Sequence, residues 1–439
     1  MLTKSTKTFR LDGRPRKTLL DLSSALQGFE VDTQKAKPIN SYSLGSFREV
    51  SRIGDGSSYV VEKALSVGKN VVAVKRTHFA VNGVREPPSD AGQFSFEDQI
   101  DILYTEVRCL THPPLRKHPN IVDFMGYGWH TSYGISLPFI VLEYAQYGTL
   151  DSFLQSDPMK PWSLKLKLVR DVASGLSTLH SCKLIHGDMK MQNVLVFGEN
   201  QRDGFIAKLS DFGHTIFWDS TRAFEPLYGG TPLFNAPEVH NQDFELIPIE
   251  SMPACDTYSF GLLVWGVVKN GKTFFETSWL EDPQDDKIDF LQSCDGDFLV
   301  DKAIQDIETA RLPGSDVLVQ VLQGTLAFEP NDRKSMNEIT KLLDDMAPTS
   351  VYHSTEPQAR IPDRKSVVEF VKISIDQSMN KHCRSILKIL VRLRYAFVRC
   401  VSAVYTDIVS FYERIQHGLL LHAESCSKGT TALIPPQHA

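Results

Sequence analysis

The sequence lacks several features that would place it in a specialised class of protein. No run of about 18 uninterrupted apolar residues occurs, so no membrane-spanning helix is expected. The seven cysteines are scattered and include no C-x-x-C pair, which excludes a disulfide framework or zinc site and favours a reducing compartment. The N-terminal stretch MLTKSTKTFRLDGRPRK has no apolar core, so we expect a solvated tail, rather than a secretory signal or transit peptide, and a cytoplasmic protein.

Neither sign of charge dominates the chain. The net charge is −6 over 439 residues, and this balance gives no reason to expect a nucleic-acid partner. An apolar content of 42% and a charged content of 23% are those of a soluble globular protein. Composition divides the chain into an N-terminal extension (1–46), a main domain (47–347), a linker (348–363), a helical extension (364–424) and a flexible tail (425–439).

Strand patterns come first along the main domain, and helix patterns follow. Short β-branched runs broken by glycine predict three antiparallel strands between about Arg48 and Arg76. Residues 77–96 contain Pro-Pro and glycine and are interpreted as a loop insertion. Helical periodicity then appears at Ile100, Leu103, Val107 and Leu110, and again over residues 164–180. This order predicts two lobes with a cleft between them.

The stretch LIHGDMKMQNVL, residues 184–195, places three polar side chains on a short loop between apolar runs. Phosphoryl transfer would explain the combination. Asp188 would orient a hydroxyl, Lys190 would neutralise phosphate and Asn193 would hold a metal ion. A polar turn between strands is the alternative that the loop alone leaves open.

Four further positions fit the same chemistry. Gly54 and Gly56 lie in a predicted strand–turn–strand, where backbone amides could approach phosphates, although a hairpin turn would look the same. Lys75 ends the apolar run Val-Ala-Val-Lys and would point into the cleft, unless it snorkels to the surface. Glu106 lies on the inward face of the first helix, where it would pair with Lys75 or sit solvated at the edge of that face.

A second acidic loop follows a predicted strand at Leu209-Ser210-Asp211-Phe212-Gly213. Asp211 would bind a metal ion together with Asn193, and oxygen ligands of this kind suit Mg²⁺. An ordinary Asp-Gly turn is the alternative.

These elements occur together with A-P-E at residues 236–238, in an order and spacing that resembles the eukaryotic protein kinase domain. The resemblance covers roughly residues 48–347. It implies an α+β, bilobal protein kinase fold with a β-rich N-lobe and a helical C-lobe, followed here by a C-terminal helical region. It also implies ATP and Mg²⁺ as cofactors and proteins as substrates.

The resemblance assigns roles to matching residues. Asp188 would be the catalytic base, Lys190 would meet the γ-phosphate, and Asn193 and Asp211 would hold the metal. The nucleotide would be bound by Gly54, Gly56, Val61, Ala73, Lys75, Glu106, Glu143, Ala145 and Leu195, with Leu142 as the gatekeeper. Structural roles fall to Asp256, the pair of Glu238 and Arg333, and the packed column of Leu110, Phe124, His186 and Phe212.

The expected activity is ATP- and Mg²⁺-dependent transfer of the γ-phosphate to Ser/Thr hydroxyls of proteins. Lys190, two residues after Asp188, and the element Gly230-Thr231-Pro232 resemble the Ser/Thr type of kinase rather than the tyrosine type. Two rivals remain: a kinase-like scaffold without catalysis, and a small-molecule phosphotransferase of kinase-like fold, in which H-G-D is common. The intact set of catalytic residues disfavours the first rival, and A-P-E, G-T-P and D-x-x-S-F-G disfavour the second.

Three positions depart from the family pattern. Tyr59 stands at the third glycine of the phosphate loop, residues 77–96 form an insertion, and Gly187 replaces the arginine that often binds a phosphorylated activation segment. The segment between Asp211 and Glu238 contains phosphorylatable residues, namely Thr215, Ser220 and Thr221. Because no arginine stands at 187, we expect activity to depend little on phosphorylation of this segment.

The C-terminal region contains a predicted basic amphipathic helix over residues 381–415. No acidic residue occurs between Asp376 and Asp407, and Arg384, Lys388 and Arg392 recur every four residues. Such a helix could bind an anionic membrane or a calmodulin-like groove. Packing on the kinase domain or in a small bundle is the alternative that we favour. The sequence does not indicate an oligomeric state.

Overall fold

The computed structural model describes residues 17–28, 40–56, 59–77, 96–132, 135–199, 204–218, 228–240, 247–282, 286–294 and 296–345. The chain divides into a unit of Met1–Ser350 and a unit of Val351–Ala439, and all described residues belong to the first. The predicted linker, helical extension and tail therefore lie outside the described residues, as does most of the predicted insertion, from 78 to 95.

The N-terminal lobe is built on a six-stranded sheet with the order β1-β5-β6-β4-β3-β2. Its strands are β1 (Asn40–Ser43), β2 (Phe47–Asp55), β3 (Tyr59–Ser66), β4 (Val71–Thr77), β5 (Phe124–Ser132) and β6 (Ile135–Glu143). All neighbours are antiparallel except β1 and β5, which run parallel. The three antiparallel strands predicted between about Arg48 and Arg76 are thus confirmed as β2, β3 and β4.

The alternation of side chains along β4 explains why Lys75 faces the cleft. Val72 and Val74 are buried in a small cluster on the outer face of the sheet. Ala73 belongs to the main core cluster on the other face. Because successive side chains of a strand point to opposite faces, Lys75 shares the inner face with Ala73. Its backbone lies opposite Val61 on β3 and Ile140 on β6.

Helix α2 (Phe96–Leu110) covers this inner face. Its predicted apolar stripe is buried: Ile100, Leu103, Val107 and Leu110 are each at most 1% exposed. Glu106 lies among them and has no exposed surface, so the buried face of this amphipathic helix includes one carboxylate.

The N-terminal extension contains regular structure, although the sequence predicted no helix or strand there. Residues 19–28 form helix α1 (Leu19–Gly28), which packs against α2, and residues 40–43 form β1 on the sheet edge. The helix begins with a reciprocal cap, since Thr18 N donates to Asp21 Oδ2 at 2.8 Å and Asp21 N donates to Thr18 Oγ1 at 3.2 Å. Leu22 and Leu26 are 0% and 1% exposed in the main core. The stripe is short, which is why it was not recognised.

The C-terminal lobe is mainly helical. Its helices are α3 (Leu150–Ser156), α4 (Trp162–Ser181), α5 (Pro237–His240), α6 (Met252–Val268), α7 (Lys287–Ser293), α8 (Phe298–Ala310), α9 (Ser315–Leu326) and α10 (Met336–Asp345). Two short antiparallel pairs line its cleft side, namely β7 (Leu184–Ile185) with β10 (Ile216–Phe217) and β8 (Val194–Glu199) with β9 (Gly204–Leu209). The predicted α+β, bilobal fold is therefore confirmed. Within the described ranges, no helix is both long and apolar enough to cross a membrane.

Docking of α1 on α2 gives a test with a built-in control on the same helix. Leu22 is fully buried, whereas Leu20 is 76% exposed. We expect Leu22→Ala to lower the free energy of unfolding by about 2–5 kcal/mol, because it removes a buried side chain and leaves a cavity. Leu20→Ala should change it by about 0.5 kcal/mol or less. Urea unfolding of the full-length variants measures both, and equal effects would contradict docking of α1.

Candidate active site

One buried carboxylate fixes the position of the loop between β7 and β8, residues 186–193, which we call the catalytic loop after the family that it resembles. Asp256, on the core helix α6, accepts hydrogen bonds from the backbone N–H groups of His186 and Gly187 at 2.7 and 3.0 Å. It also contacts His180 Nε2 at 3.0 Å and accepts from the Tyr228 hydroxyl at 2.9 Å. Burial raises the pKa of Asp256, but the bond from His180 and the neighbouring donors outweigh it and hold the pKa below its usual value.

The polar side chains of the loop converge on Asp188. The Lys190 ammonium lies 2.8 Å from Asp188 Oδ2, and the Asn193 amide nitrogen donates to the same oxygen at 2.8 Å. Asp188 is 7% exposed. Burial raises its pKa, but Lys190 and the Thr231 hydroxyl lower it further, so the pKa is depressed and the group stays a carboxylate. A carboxylate held in this way can accept a proton from a hydroxyl placed beside it.

Thr231 completes this cluster and was not among the predicted site residues. Its hydroxyl donates to Asp188 Oδ1 at 2.8 Å and accepts from Lys190 Nζ at 2.6 Å. The signal that could have identified it is the element Gly230-Thr231-Pro232, which was interpreted only as a mark of the Ser/Thr type of kinase.

Lys75 joins three elements at the back of the cleft. Its ammonium lies 2.7 Å from Glu106 Oε2 on α2 and 2.8 Å from Asp211 Oδ1 after β9. Burial lowers the pKa of Lys75, but the two carboxylates outweigh burial and raise it. Burial also raises the pKa of Glu106, against the opposing effect of Lys75. The predicted partner of the buried glutamate is thus the one that the structure places beside it.

Two side chains are placed to supply oxygen ligands to a metal ion. Asp211 adopts a left-handed backbone conformation with φ of 61°, and 42% of its side chain is exposed in the cleft. Burial of the site would raise the pKa of Asp211, but Lys75 lowers it well below its usual range, so the group is ionised. The Asn193 amide nitrogen is committed to Asp188, which leaves its carbonyl oxygen for a ligand. A carboxylate and an amide oxygen fit Mg²⁺.

Most of the predicted nucleotide-binding residues lie on the N-lobe strands β2–β4, on the connection between the lobes and on β8 of the C-terminal lobe. Gly54 pairs with Val61 in the β2–β3 hairpin, and Gly56 N donates to Tyr59 O at 2.9 Å. Ala73 on β4 lies opposite Leu142 on β6, one residue before that strand ends at Glu143. Ala145 lies in the turn after β6, and Leu195 lies on β8. Both side chains are partly buried against the core.

The side chain of Glu143 bonds to neighbouring parts of the protein at the start of the connection between the lobes. Its Oε1 accepts from Lys208 Nζ at 2.5 Å and from Asp123 N at 2.7 Å. These bonds hold Oε1 to the protein, and Glu143 N donates to Asp123 O at 3.1 Å. A nucleotide base would be bound by the backbone of this connection, as the resemblance implies.

Tyr59, at the position of the third glycine, is 5% exposed. Its hydroxyl donates to Gln99 O on α2 at 2.9 Å, and Lys75 Nζ lies 4.5 Å from its ring centroid. The departure from glycine therefore adds a link between the phosphate loop, the cleft lysine and α2. Residues 57 and 58 of the loop lie outside the described residues.

The structural residues that the resemblance named are brought together. The Arg333 guanidinium makes two parallel bonds to the Glu238 carboxylate, at 2.7 and 2.8 Å. His186 and Phe212 lie with ring centroids 5.3 Å apart. Each member of the predicted column is at most 6% exposed, namely Leu110, Phe124, His186 and Phe212.

Gly187 is a point of close contact between backbones. Its φ is +79°, and a Cβ placed on it would lie 2.5 Å from the carbonyl oxygen of His214. A Cβ on Gly230, whose φ is +91°, would lie 2.8 Å from the carbonyl oxygen of Gly187. The catalytic loop therefore touches both ends of the activation segment through glycines, and no side chain fits at 187 without a shift of His214.

Thr215 corrects one expectation about this segment. It was considered a residue open to phosphorylation, but it is 6% exposed, so a kinase could not reach it without local opening. Ser220 and Thr221 lie outside the described residues.

Comparison with known proteins agrees with this site. The family model of the protein kinase domain matches residues 47–342. The chain belongs to the protein kinase family. Its range includes every residue assigned above to the cleft, from Gly54 to Thr231, and also the structural pair of Glu238 and Arg333.

Several curated relatives carry serine/threonine-kinase names. The probable serine/threonine-protein kinase pats1 of Dictyostelium discoideum is 31% identical over 52% of this chain and 7% of its own length. Another probable serine/threonine-protein kinase of that organism is 27% identical over 64% of this chain and 59% of its own length. The human receptor-interacting serine/threonine-protein kinase 3 is 29% identical over 48% of this chain and 38% of its own length. The chain thus spans less than two thirds of each of these relatives.

The close approach at Gly187 predicts intolerance of any side chain there. Gly187→Ala places a Cβ in a left-handed conformation and against the His214 carbonyl, so we expect a loss of about 1–3 kcal/mol in the free energy of unfolding. Gly45→Ala is the matched control, because nothing lies within 4 Å of its added Cβ. Urea unfolding compares the two. A Gly187→Ala protein as stable as Gly45→Ala would show that the contact is not as described.

Proposed function

We propose that this protein is an ATP- and Mg²⁺-dependent kinase that transfers the γ-phosphate to Ser or Thr hydroxyls of proteins. The observation that carries the proposal is the convergence of Lys190, Asn193 and Thr231 on an ionised Asp188. The paired Lys75, 2.8 Å from Asp211, stands across the same cleft. Membership of the protein kinase family supports the same reaction.

Each group has a distinct task in the proposed reaction. The Asp188 carboxylate would orient the substrate hydroxyl and accept its proton as the oxygen attacks the γ-phosphorus. Lys190 would balance charge on the transferred group, and Lys75 would position the α- and β-phosphates while Glu106 holds its ammonium in place. Asn193 and Asp211 would bind Mg²⁺, which supplies neutralisation of the phosphate charge.

Transfer to Ser/Thr is proposed on two grounds. Lys190 Nζ donates to the Thr231 hydroxyl at 2.6 Å, so the G-T-P element, which resembles that of the Ser/Thr type, is bonded to the catalytic loop. The relatives pats1 and receptor-interacting kinase 3 also carry serine/threonine names.

The two rival functions are disfavoured by particular contacts. A non-catalytic scaffold has no need of Lys75 bonded to both Glu106 and Asp211 in a cleft. A small-molecule phosphotransferase generally lacks the A-P-E glutamate, which here is bonded to Arg333. Cytoplasmic location and contacts of residues 381–415 with membrane or a calmodulin-like protein remain predictions.

Replacement of the cleft residues tests the proposed function. Lys75→Met, Asp188→Asn and Asp211→Ala should each lower phosphoryl transfer by on the order of a hundredfold or more, because the reaction depends on positioning and charge stabilisation. The matched control is Asp345→Asn, which removes an exposed carboxylate at the end of α10. Transfer of labelled phosphate from Mg·ATP to generic basic protein substrates is measured, followed by phosphoamino-acid analysis.

Thermal unfolding of each variant separates loss of chemistry from loss of fold. If the Lys75→Met and Asp211→Ala proteins are folded and transfer phosphate at near-wild-type rates, the assigned site is wrong. Label on tyrosine alone would contradict the Ser/Thr assignment. Transfer to aminoglycoside-type small molecules but not to proteins would favour the second rival.

A further inference from the structure

The absence of an arginine at 187 raises the question of what anchors the start of the activation segment. Ile216 on β10 is 5% exposed and pairs with Ile185 on β7, immediately before the catalytic loop. The next two residues are aromatic, Phe217 and Trp218. Each of them has a cation on its ring.

The first contact comes from α2. The Arg108 guanidinium carbon lies 4.0 Å from the Phe217 ring centroid and 5.8 Å from that of Tyr104. Arg108 is in the last turn of α2, two residues after Glu106, and its own side chain is exposed. Phe217 therefore attaches β10 to the helix that supplies the partner of Lys75.

The second contact comes from the other side. Lys183, just before β7, places its ammonium 4.1 Å from the Trp218 ring centroid. Trp218 N also donates to Lys183 O at 2.8 Å, which holds the backbones of the two residues together. Lys183 itself adopts a left-handed φ of 60°, an uncommon conformation for this residue type. Trp218 thus attaches the segment to the strand that leads into the catalytic loop.

We propose that Phe217 and Trp218 are positioning residues that anchor the activation segment by cation–π contacts with Arg108 and Lys183. The effect on catalysis rests on the proposed kinase function. The two aromatic rings each contact a cation, one from α2 and one beside β7, and neither contact involves a phosphate. Because β10 begins only five residues after Asp211, its position fixes the backbone that carries Asp211 and His214.

Amide hydrogen exchange of the full-length protein measures the anchor directly. Phe217→Leu and Trp218→Leu should each raise the exchange of the peptide covering residues 214–218 by about two- to fivefold, the factor expected for one exposed cation–π contact. Phe217→Tyr keeps an aromatic face and should exchange as the wild type does. Lys117→Gln is the matched control for charge, because Lys117 is an exposed cation just beyond α2.

A double-mutant cycle shows that the cation acts through the ring. Arg108→Gln alone should raise exchange as Phe217→Leu does. The double variant Arg108→Gln/Phe217→Leu should exchange no faster than either single variant, because the second change has no contact left to remove. Lys183→Gln, alone and combined with Trp218→Leu, makes the same test for Trp218. Lys183 is exposed, so its replacement leaves the core unchanged.

Kinetics separate positioning from general destabilisation. In the leucine variants kcat should fall about two- to fivefold while KM for ATP changes less than kcat does, because most of the assigned nucleotide-binding residues lie on β2, β3, β4, β8 and the connection between lobes and not on β10. Phe217→Tyr should restore kcat. A rise in KM for ATP without a fall in kcat would overturn the positioning role.

Two further outcomes decide the proposal. Wild-type exchange in both Phe217→Leu and Trp218→Leu would overturn it. Phosphatase treatment of the wild type that raises exchange of the same peptide as much as Phe217→Leu does would also overturn it, since a phosphate would then be the anchor. If the wild type transfers no phosphate at all, the proposed function fails, whereas the exchange results still decide the anchor.

Discussion

The Asp256 carboxylate is the interaction on which the geometry of the cleft depends. It lies at the N-terminal part of a helix buried on all sides, and donors from three other parts of the lobe meet on it. Two of these donors are backbone N–H groups of the catalytic loop, so the loop is fixed by its main chain and its side chains are left for chemistry. A buried carboxylate that lost these donors would be costly, and this cost opposes any displacement of the loop from the helix.

The other carboxylates of the cleft are also held by partners that offset the cost of burying their charge. Glu106, Asp188 and Asp211 are carboxylates in a partly desolvated space, and Lys75 and Lys190 lie between them. Lys75 contacts carboxylates of α2 and of the loop after β9, so the N-lobe sheet, the N-lobe helix and a C-lobe loop are held in one arrangement by charge. Lys190 pairs with Asp188 within the catalytic loop. The excess of one carboxylate in this set leaves the cleft suited to a further cation.

Much of this could be predicted because the chemistry resides in short motifs on regular elements. The alternation of β4 placed Lys75 inward, and the helical stripe of α2 placed Glu106 opposite it, so both could be named from periodicity. Thr231 was missed because its contact with Asp188 spans 43 residues, and no local pattern reports such a contact. Helix α1 was missed because ten residues with two fully buried leucines give little periodic signal. The tight contact at Gly187 depends on the path of His214, which composition cannot show.

The docked N-terminal segment means that the folded unit and the family domain do not share a boundary. The family match begins at residue 47, whereas α1 and β1 lie before it. A protein begun at residue 47 would expose the surface of α2 that Leu22 and Leu26 cover, and would leave β5 as an unpaired sheet edge. Exposed apolar surface beside an open edge strand favours association between copies. The outer limit of sequence similarity is therefore a poor guide to where this domain can be cut.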